Sequence, residues 1–303
     1  MKMTKNLHLE HPEDSILNGE LSVLNWFTTK GNLSTKIDGS PAIVWGRNPA
    51  NNKFFVGTKS VFNKKLIKIN HDHREIDANH KGEVADILHK CFDNLPVTDS
   101  IFQGDFIGFG GTCSFLPNTI RYEFPEEVNQ EIIIAPHTEY FAEKDLRDAI
   151  SYPIKSRLSD TPDVLFVQPT VIIDDELNLI KERCQFAKQI ATLCEFPSKK
   201  QVTRIKKQLN TCIRERIELD DITLEALASD NDCDINVLRL WKLVESIKHD
   251  MFDHIIRYDE IECYIDDEEC DHEGYVLTNQ FGSYKIIDRE YFSYANFNTS
   301  KNR

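Results

Sequence analysis

The chain has 303 residues, a hydrophobic fraction of 40% and a formal net charge of −14, which indicate a globular protein of one or two domains. A chain this acidic repels polyanions as a uniform field, so any contact with nucleic acid must rest on local basic patches. No apolar segment is long enough for a signal peptide or a membrane span, and the eight scattered cysteines, without a C-x-x-C pair, indicate reduced thiols in a cytoplasm.

The first half of the chain is predicted to be mostly β-structure. Short β-prone runs between Gly, Pro and Asn signals predict strands at 33–37, 42–46, 53–58, 100–107, 119–123, 131–136 and 164–172. One stretch, Gly82 to Leu95, has the spacing of a one-sided helix. The polar run 70–80 holds three histidines but fits no standard zinc spacing, so it is interpreted as a loop. Core packing is expected for at least two of Phe102, Phe106 and Phe109.

The hydrophobic period changes to that of a helix after Asp174. Three apolar series with helical spacing begin at Leu177, Val202 and Leu240, and they predict a helical block inserted into the sheet unit. β-structure returns after residue 273 as a hairpin around Asn279 to Gly282. The acidic run 264–273 is interpreted as a solvated connection, with a metal-binding loop as the alternative.

Lys36 lies on a predicted strand beside Ile37 and is followed by a break at Gly39, Ser40 and Pro41. The simplest interpretation is a hairpin whose lysine points into water. The alternative is a nucleophilic lysine. An amine attacks phosphorus only when neutral, so its pKa of about 10.4 must be lowered by nearby cations and partial desolvation. A leaving pyrophosphate also requires charge neutralisation, usually by Mg²⁺ held on one or two carboxylates.

The rest of the chain supplies residues of these types on further predicted β-elements. Lys59 follows a strand, Asp105 comes after a glycine within a strand, and Glu273 and Lys285 lie on the two arms of the last hairpin. Each fragment alone is a weak signal, because K-x-D-G occurs by chance in many proteins. Their order along the chain, each on a β-element, is considerably more specific.

In this order the fragments resemble the motifs of the covalent nucleotidyltransferases, the superfamily of ATP-dependent DNA and RNA ligases and mRNA capping enzymes. In this chain "KIDGSP" resembles motif I, "GTKSVF" resembles motif Ia and "FQGDFIG" resembles motif III. "EGYVL" resembles motif IV and "SYKI" resembles motif V. The resemblance spans residues 30 to 292 apart from the helical block, and it is most similar to phage-encoded RNA-ligase-like proteins. It implies an α+β fold with an antiparallel-sheet, ATP-grasp-like adenylation core over 1–173 and 261–303, a helical insertion over 174–260 and no C-terminal OB domain.

The resemblance also implies roles for single residues. Lys36 forms the phosphoramide to AMP, Asp38 orients the hairpin, and Lys285 contacts the α-phosphate. The remaining residues of the ATP site are expected to be Gly39, Lys59, Asp105, His137 and Glu273. Asp105 and Glu273 are the expected ligands of Mg²⁺ or Mn²⁺. His137 or Tyr140 is expected in place of the family's base-stacking aromatic residue.

The implied function is an ATP-dependent polynucleotide ligase that seals 5′-phosphorylated RNA, with DNA as the alternative substrate, in the cytoplasm of a phage host. Its best polynucleotide surface is the predicted helix bearing Lys199, Lys200, Arg204, Lys206, Lys207 and Arg214. The alternative for this helix is a solvated face paired with acidic neighbours. Motif V usually carries a second lysine where this chain has Ile287, and motif III more often has glutamate. These departures favour the alternative of a degenerate protein that binds nucleotide or nucleic acid without catalysis.

Overall fold

The chain alternates β-hairpins with helices, and every residue expected in the ATP site lies on a strand or within three residues of one. The computed structural model describes residues 4–5, 9–174 and 176–299. The strands of these ranges are β1 (Thr4–Lys5), β2 (Asn32–Lys36), β3 (Ala42–Arg47), β4 (Phe54–Gly57), β5 (Ile101–Phe109), β6 (Thr112–Phe115), β7 (Arg121–Val128), β8 (Ile132–Phe141), β9 (Ile150–Pro153), β10 (Val164–Phe166), β11 (Thr170–Ile173), β12 (Ile255–Tyr258), β13 (Glu262–Ile265), β14 (Glu268–Cys270), β15 (Gly274–Asn279) and β16 (Gly282–Ile286). The α-helices are α1 (Pro12–Ile16), α2 (Val23–Trp26), α3 (His73–Asn79), α4 (Glu83–Asn94), α5 (Asn178–Ala191), α6 (Lys199–Arg214), α7 (Asp221–Asn231), α8 (Ile235–Asp250) and α9 (Arg289–Thr299).

Two sheets carry the candidate site. The larger has the order β1-β9-β8-β5-β3-β4, with β10 added in parallel beside β8, and the smaller has the order β16-β15-β2. Apart from the β8–β10 pair, neighbouring strands in both sheets are antiparallel. The fold is therefore α+β with mainly antiparallel sheets, as the sequence predicts. No helix of the described ranges is long and apolar enough to cross a membrane.

The predicted strands are found with shifted ends. β3 is buried on both faces, since Ile43, Val44 and Trp45 are all inaccessible. On β5, Phe102 and Phe106 lie in the core while Phe109 is exposed. The run 164–172, however, is two strands, β10 and β11, separated at 167–169. Pro169 lacks the N–H group that a continuous ladder requires, which explains the break.

Two segments predicted to be irregular are ordered elements. Within the polar run 70–80, Asp72 caps α3 by accepting a hydrogen bond from the Glu75 N–H at 2.9 Å, and Ile76 is the buried residue of that helix. The acidic run 264–273 contains the β13–β14 hairpin, whose turn residues Asp266 and Asp267 both have positive φ. The loop predicted over 70–80 was wrong for residues 73–79, because capping outweighed overall polarity. In the acidic run, residues 266–269 are exposed, as a solvated connection requires.

The helical block leaves and re-enters the β-structure at one place. β11 and β12 pair antiparallel, with Ile173 opposite Ile255, so α5 to α8 lie between two neighbouring strands. The predicted apolar faces of α4, α5, α6 and α8 are buried. The block shares one apolar core with α2 and the small sheet, in which Ile180, Val244 and Leu277 pack together. Helices α1, α2, α7 and α9 were not predicted.

Candidate functional site

Lys36 ends β2 and lies directly opposite Gly274, the first residue of β15. Gly274 has φ +147, and a Cβ atom there would lie 2.3 Å from the carbonyl oxygen of Ile286. Only glycine fits this position, and it lets the chain turn into β15 close to the lysine. The opposite face of this sheet packs against the helical block through Tyr275 and Leu277. The sheet therefore presents Lys36 on the face turned away from that core.

The Lys36 ammonium forms an ion pair and hydrogen bond with the carboxylate of Glu273, the residue before Gly274. Burial lowers the pKa of Lys36, but the carboxylates of Glu273, Asp105 and Asp38 outweigh burial and raise this pKa above the usual lysine value. Burial likewise raises the pKa of Glu273, and the charge of Lys36 opposes that rise. The sequence reasoning expected cations to favour the neutral amine, whereas this arrangement favours the charged one.

Lys285 lies on β16, opposite Val276, and therefore on the same sheet face as Lys36. Its backbone N–H donates to the carbonyl of Glu10 at 3.1 Å. Burial and the positive charge of Lys36 lower the pKa of the Lys285 amine below the usual lysine value. The two amines and Glu273 thus form one charged cluster, which can receive a group carrying several negative charges.

Asp38 is buried and acts as the centre of a hydrogen-bonded loop. Its carboxylate accepts from the Asn118 side chain at 2.8 Å and from the backbone N–H groups of Thr119 at 2.8 Å and Ile120 at 3.1 Å. Its own N–H donates to the hydroxyl of Tyr122 at 2.6 Å. This agrees with the predicted orienting role, and it shows that Asp38 fixes the chain just beyond Lys36.

Gly39 brings that segment against β5. A Cβ atom on Gly39 would lie 2.8 Å from both the Asp105 Cβ and the Phe106 carbonyl oxygen. The Ser40 N–H donates to the same carbonyl at 2.9 Å, and Ala42 is the ladder partner of Asp105. Gly39 therefore has a close-packing role that places Asp105 beside the lysine segment.

His137 occupies a bulge between β5 and β8, because Gly104 faces Pro136 while Gln103 faces Thr138. Its Nε2 lies 3.6 Å from Asp105 Oδ2, and its side chain is 34% exposed, so it borders the site. Tyr140 is different. Its ring is buried against Phe62 at a centroid distance of 4.4 Å, so the expectation that it stacks on a base was wrong.

Lys59 begins a single 3-10 turn directly after β4 and is exposed. Gly57 faces Val44, and Ala42 faces Asp105, so Lys59 lies beyond the same end of the large sheet as Asp105. Within the described part of the chain it has no contact with Lys36 or Glu273. Lys59 is therefore the candidate residue that the structure places nearby without joining it to the cluster.

The predicted basic helix is α6. Lys199, Lys200, Arg204 and Lys207 are exposed. Lys206 instead pairs with Glu10 at 3.1 Å, and the half-buried guanidinium of Arg214 lies 5.4 Å from the Phe297 ring centroid. Because Glu10 also accepts the Lys285 N–H, this residue connects α6 to the strand that carries Lys285. Part of this helix thus has acidic partners, and part remains open to a ligand.

A buried ion network next to Lys285 was not predicted. Lys248 donates to Glu13 at 2.8 Å, both side chains being fully buried, and Arg289 donates to Glu13 at 2.9 Å and to Asp14 at 3.0 Å. The network joins α8 of the helical block to α1 and to the start of α9. Charged side chains are rarely this buried, so the sequence predicts them at the surface. The network becomes visible only in the folded structure, where charges from distant segments pair.

Asp105 and Glu273 are the residues that would hold a divalent cation. No group of three or more His, Cys, Asp or Glu side chains within 4–5, 9–174 and 176–299 is arranged to hold a metal ion alone. Mg²⁺, however, usually binds through one or two carboxylates together with waters and substrate phosphates. The Asp105 carboxylate has no hydrogen-bond donor among the described residues and is partly exposed, so it is open to such a cation. Glu273 could join it by leaving its ion pair with Lys36.

Comparison with known proteins gives one positive result. The chain belongs to a family of unknown function, DUF6267, whose model matches residues 6–223 and 179–301. No curated protein and no solved structure matches the chain. Membership in this family assigns no activity, so any function has to be argued from the site itself.

Proposed function

We propose that the protein is an ATP-dependent polynucleotide ligase, with 5′-phosphorylated RNA as its substrate and Lys36 as its nucleophile. One observation carries the proposal. Lys36 on β2 and Lys285 on β16 lie on one face of the β16-β15-β2 sheet, and Glu273, directly before β15, pairs with Lys36 beside Asp105. The residues of motifs I, III, IV and V thus lie close together, which supports a nucleotidyltransferase site, while Lys59 of motif Ia stays outside the cluster.

The chemistry proceeds in three transfers. The neutral Lys36 amine attacks the α-phosphorus of ATP, so that a P–N bond forms, the P–O bond to pyrophosphate breaks and the amine loses a proton. A 5′-phosphate oxygen of RNA then displaces the lysine from AMP. Finally a 3′-hydroxyl attacks the activated 5′-phosphate and releases AMP. Positioning and charge stabilisation supply most of the rate.

The Lys36–Glu273 pair determines when the first transfer occurs. As long as Glu273 holds the ammonium, the pKa of Lys36 stays high and the amine is a poor nucleophile. A divalent cation on Glu273 and Asp105 would supply positive charge that competes for the carboxylate. Lys285, whose amine is the more easily neutralised of the two, contacts the α-phosphate.

The exposed part of α6 is the proposed surface for the 5′-phosphorylated end. Lys199, Lys200, Arg204 and Lys207 supply cations there in an otherwise acidic chain. The Glu10 contacts place this helix next to Lys285, so a strand bound to α6 reaches the cluster. The eight free thiols are compatible with the proposed cytoplasmic setting in a phage host.

A second candidate function is a degenerate member that binds nucleotide or polynucleotide without turnover. Two observations favour it. Ile287, at the position of the usual second motif V lysine, is buried, and the Glu273 ion pair keeps Lys36 charged. In such a protein the cluster would bind phosphate groups through Lys36 and Lys285 and never form a covalent bond.

The test is sealing of a 5′-phosphorylated RNA with ATP and Mg²⁺, repeated with Mn²⁺ and with the matching DNA. Ligase activity predicts a longer product from the 5′-phosphorylated strand, none from a 5′-hydroxyl strand and none without ATP. If RNA binds but neither product nor covalent AMP forms under any of these conditions, the binding function replaces the ligase.

A further inference from the structure

A lysine-rich loop leaves the large sheet at Gly57 and returns to it at Asn70. Its residues 58–69 include Lys59, Lys64, Lys65 and Lys68, and no acidic residue occurs between 54 and 71. In a chain of net charge −14 this is a second basic segment, separate from α6. Because it departs from the end of β4 level with Asp105, it borders the candidate site from the large sheet.

The base of the loop is firmly held. Val56 and Asn70 exchange backbone hydrogen bonds of 3.0 and 3.2 Å, and the Asn70 side chain donates to Val56 at 2.9 Å. Val61 is fully buried, and Lys68 donates to the Asn79 carbonyl at 2.7 Å. The loop therefore has a fixed base, and only its tip, residues 63–67, projects from the surface.

The tip presents charge and apolar surface that the protein itself does not use. Lys64 and Lys65 are exposed and have no acidic partner among the described residues. Leu66 is 86% exposed and has a φ of 53°, a left-handed conformation that costs a non-glycine residue about 1 kcal/mol. An exposed leucine held at this cost between lysines indicates a surface built for a ligand.

We infer that this tip is a second polynucleotide-binding surface, in which Lys64 and Lys65 contact phosphates and Leu66 contacts the face of a base. The inference rests on the proposed function. A ligase must hold two strand ends at one centre. The protein has two basic surfaces, α6 on the side of the small sheet and this tip on the side of the large sheet. We therefore assign the strand that carries the 3′-hydroxyl to the tip. A polyanionic strand fits better than a lipid surface because the loop leaves β4 at the end of the large sheet where Asp105 lies.

The test measures binding of a fluorescently labelled single-stranded RNA to the full chain without ATP. Fluorescence anisotropy reports the affinity at several salt concentrations. Lys64→Glu together with Lys65→Glu should weaken binding roughly 25-fold at about 0.1 M salt and reduce the salt slope by about 1.4, from two lost phosphate contacts. Leu66→Ser should weaken binding about three- to tenfold and leave the slope unchanged. The matched control is Lys53→Glu with Lys181→Glu, two exposed lysines elsewhere whose reversal changes the net charge equally.

Self-adenylylation with ATP is measured on the same variants, and it should equal that of the parent because the tip lies outside the lysine cluster. Parental RNA affinity in the tip variants overturns the inference, whether or not the parent forms an adenylate. Loss of binding to vesicles containing phosphatidylserine, with RNA binding unchanged, would assign the tip to a membrane surface and also overturn it. Absent adenylation with tip-dependent RNA binding refutes the ligase proposal alone.

Discussion

Lys36 and Glu273 form an ion pair although 237 positions separate them in the sequence. The pair exists because β2 and β15 are neighbours, with Lys36 opposite Gly274, the residue after Glu273. The carboxylate keeps the amine charged. In the proposed ligase, attack by Lys36 therefore requires that Glu273 first be engaged by another positive charge.

Replacing Glu273 tests this relationship directly. Glu273→Gln should lower the pKa of Lys36. Burial lowers this pKa, and the Glu273 carboxylate is the strongest of the groups that raise it. Acetylation of Lys36 by acetic anhydride, followed by peptide mass spectrometry across pH, should then show its half-maximal rate at a lower pH than in the parent. Labelling by ATP should fall about a hundredfold, because the cation loses one of its two carboxylates.

Glu126→Gln, at an exposed position outside the site, is the control and should match the parent in both assays. An unchanged acetylation profile in the Glu273 variant would mean that Glu273 does not set the charge of Lys36.

Lys285 is predicted to reduce stability in exchange for function. Its pKa is lowered on folding, so its charged form is disfavoured in the native state at neutral pH. Lys285→Met should therefore raise the free energy of unfolding by about 0.5–2 kcal/mol at pH 7 and abolish labelling by ATP. The difference should disappear above the usual lysine pKa of about 10.4, where the amine is neutral in both states.

Urea denaturation at pH 7 and above the usual lysine pKa of about 10.4 measures this effect, with Lys53→Met as the exposed control. A Lys285 variant that is less stable than the parent at neutral pH would show that the charge of Lys285 is favourable in the folded protein.

Asp38 is predicted to act through structure and not by touching the nucleotide. Asp38→Asn leaves one acceptor oxygen for three donors, so the protein should lose about 1–3 kcal/mol of stability, measured by urea denaturation. Asp163→Asn, at an exposed carboxylate, should change stability little. Equal stability of the two variants would contradict the role of Asp38 as the centre of the 118–120 loop.

Much of the site could be predicted because its residues lie on β-elements with clear patterns. Lys36, Asp105 and Lys285 each stand within or at the end of a strand, and the hairpin at Asn279 to Gly282 has an evident turn. The order of motifs along the chain does not predict the register in which the strands pair. Only the pairing of Gly274 with Lys36 puts Glu273 against the amine, and nothing local to either strand encodes that alignment.

Other features could not be predicted from the sequence, for different reasons. Glu13 and Lys248 are charged residues, and such residues are expected at the surface, yet their mutual pairing buries both completely. The bulge that exposes His137 beside Asp105 depends on how β5 and β8 fit together, and a single strand sequence does not show it. The Glu10–Lys206 contact likewise arises only once Glu10, bonded to Lys285 of β16, meets α6 in the folded chain.

The central claim is that Lys36 carries the covalent AMP. The most direct measurement is intact-protein and peptide mass spectrometry after incubation with ATP and Mg²⁺, performed on the parent, Lys36→Arg and Lys285→Arg. Arginine keeps the charge and allows ATP to bind, but it does not deprotonate at working pH and cannot attack phosphorus. The account predicts one acid-labile AMP on Lys36 in the parent and none in Lys36→Arg, while any residual adduct in Lys285→Arg also maps to Lys36. An AMP adduct on Lys36→Arg, or one that maps to Lys285 in the parent, would contradict it.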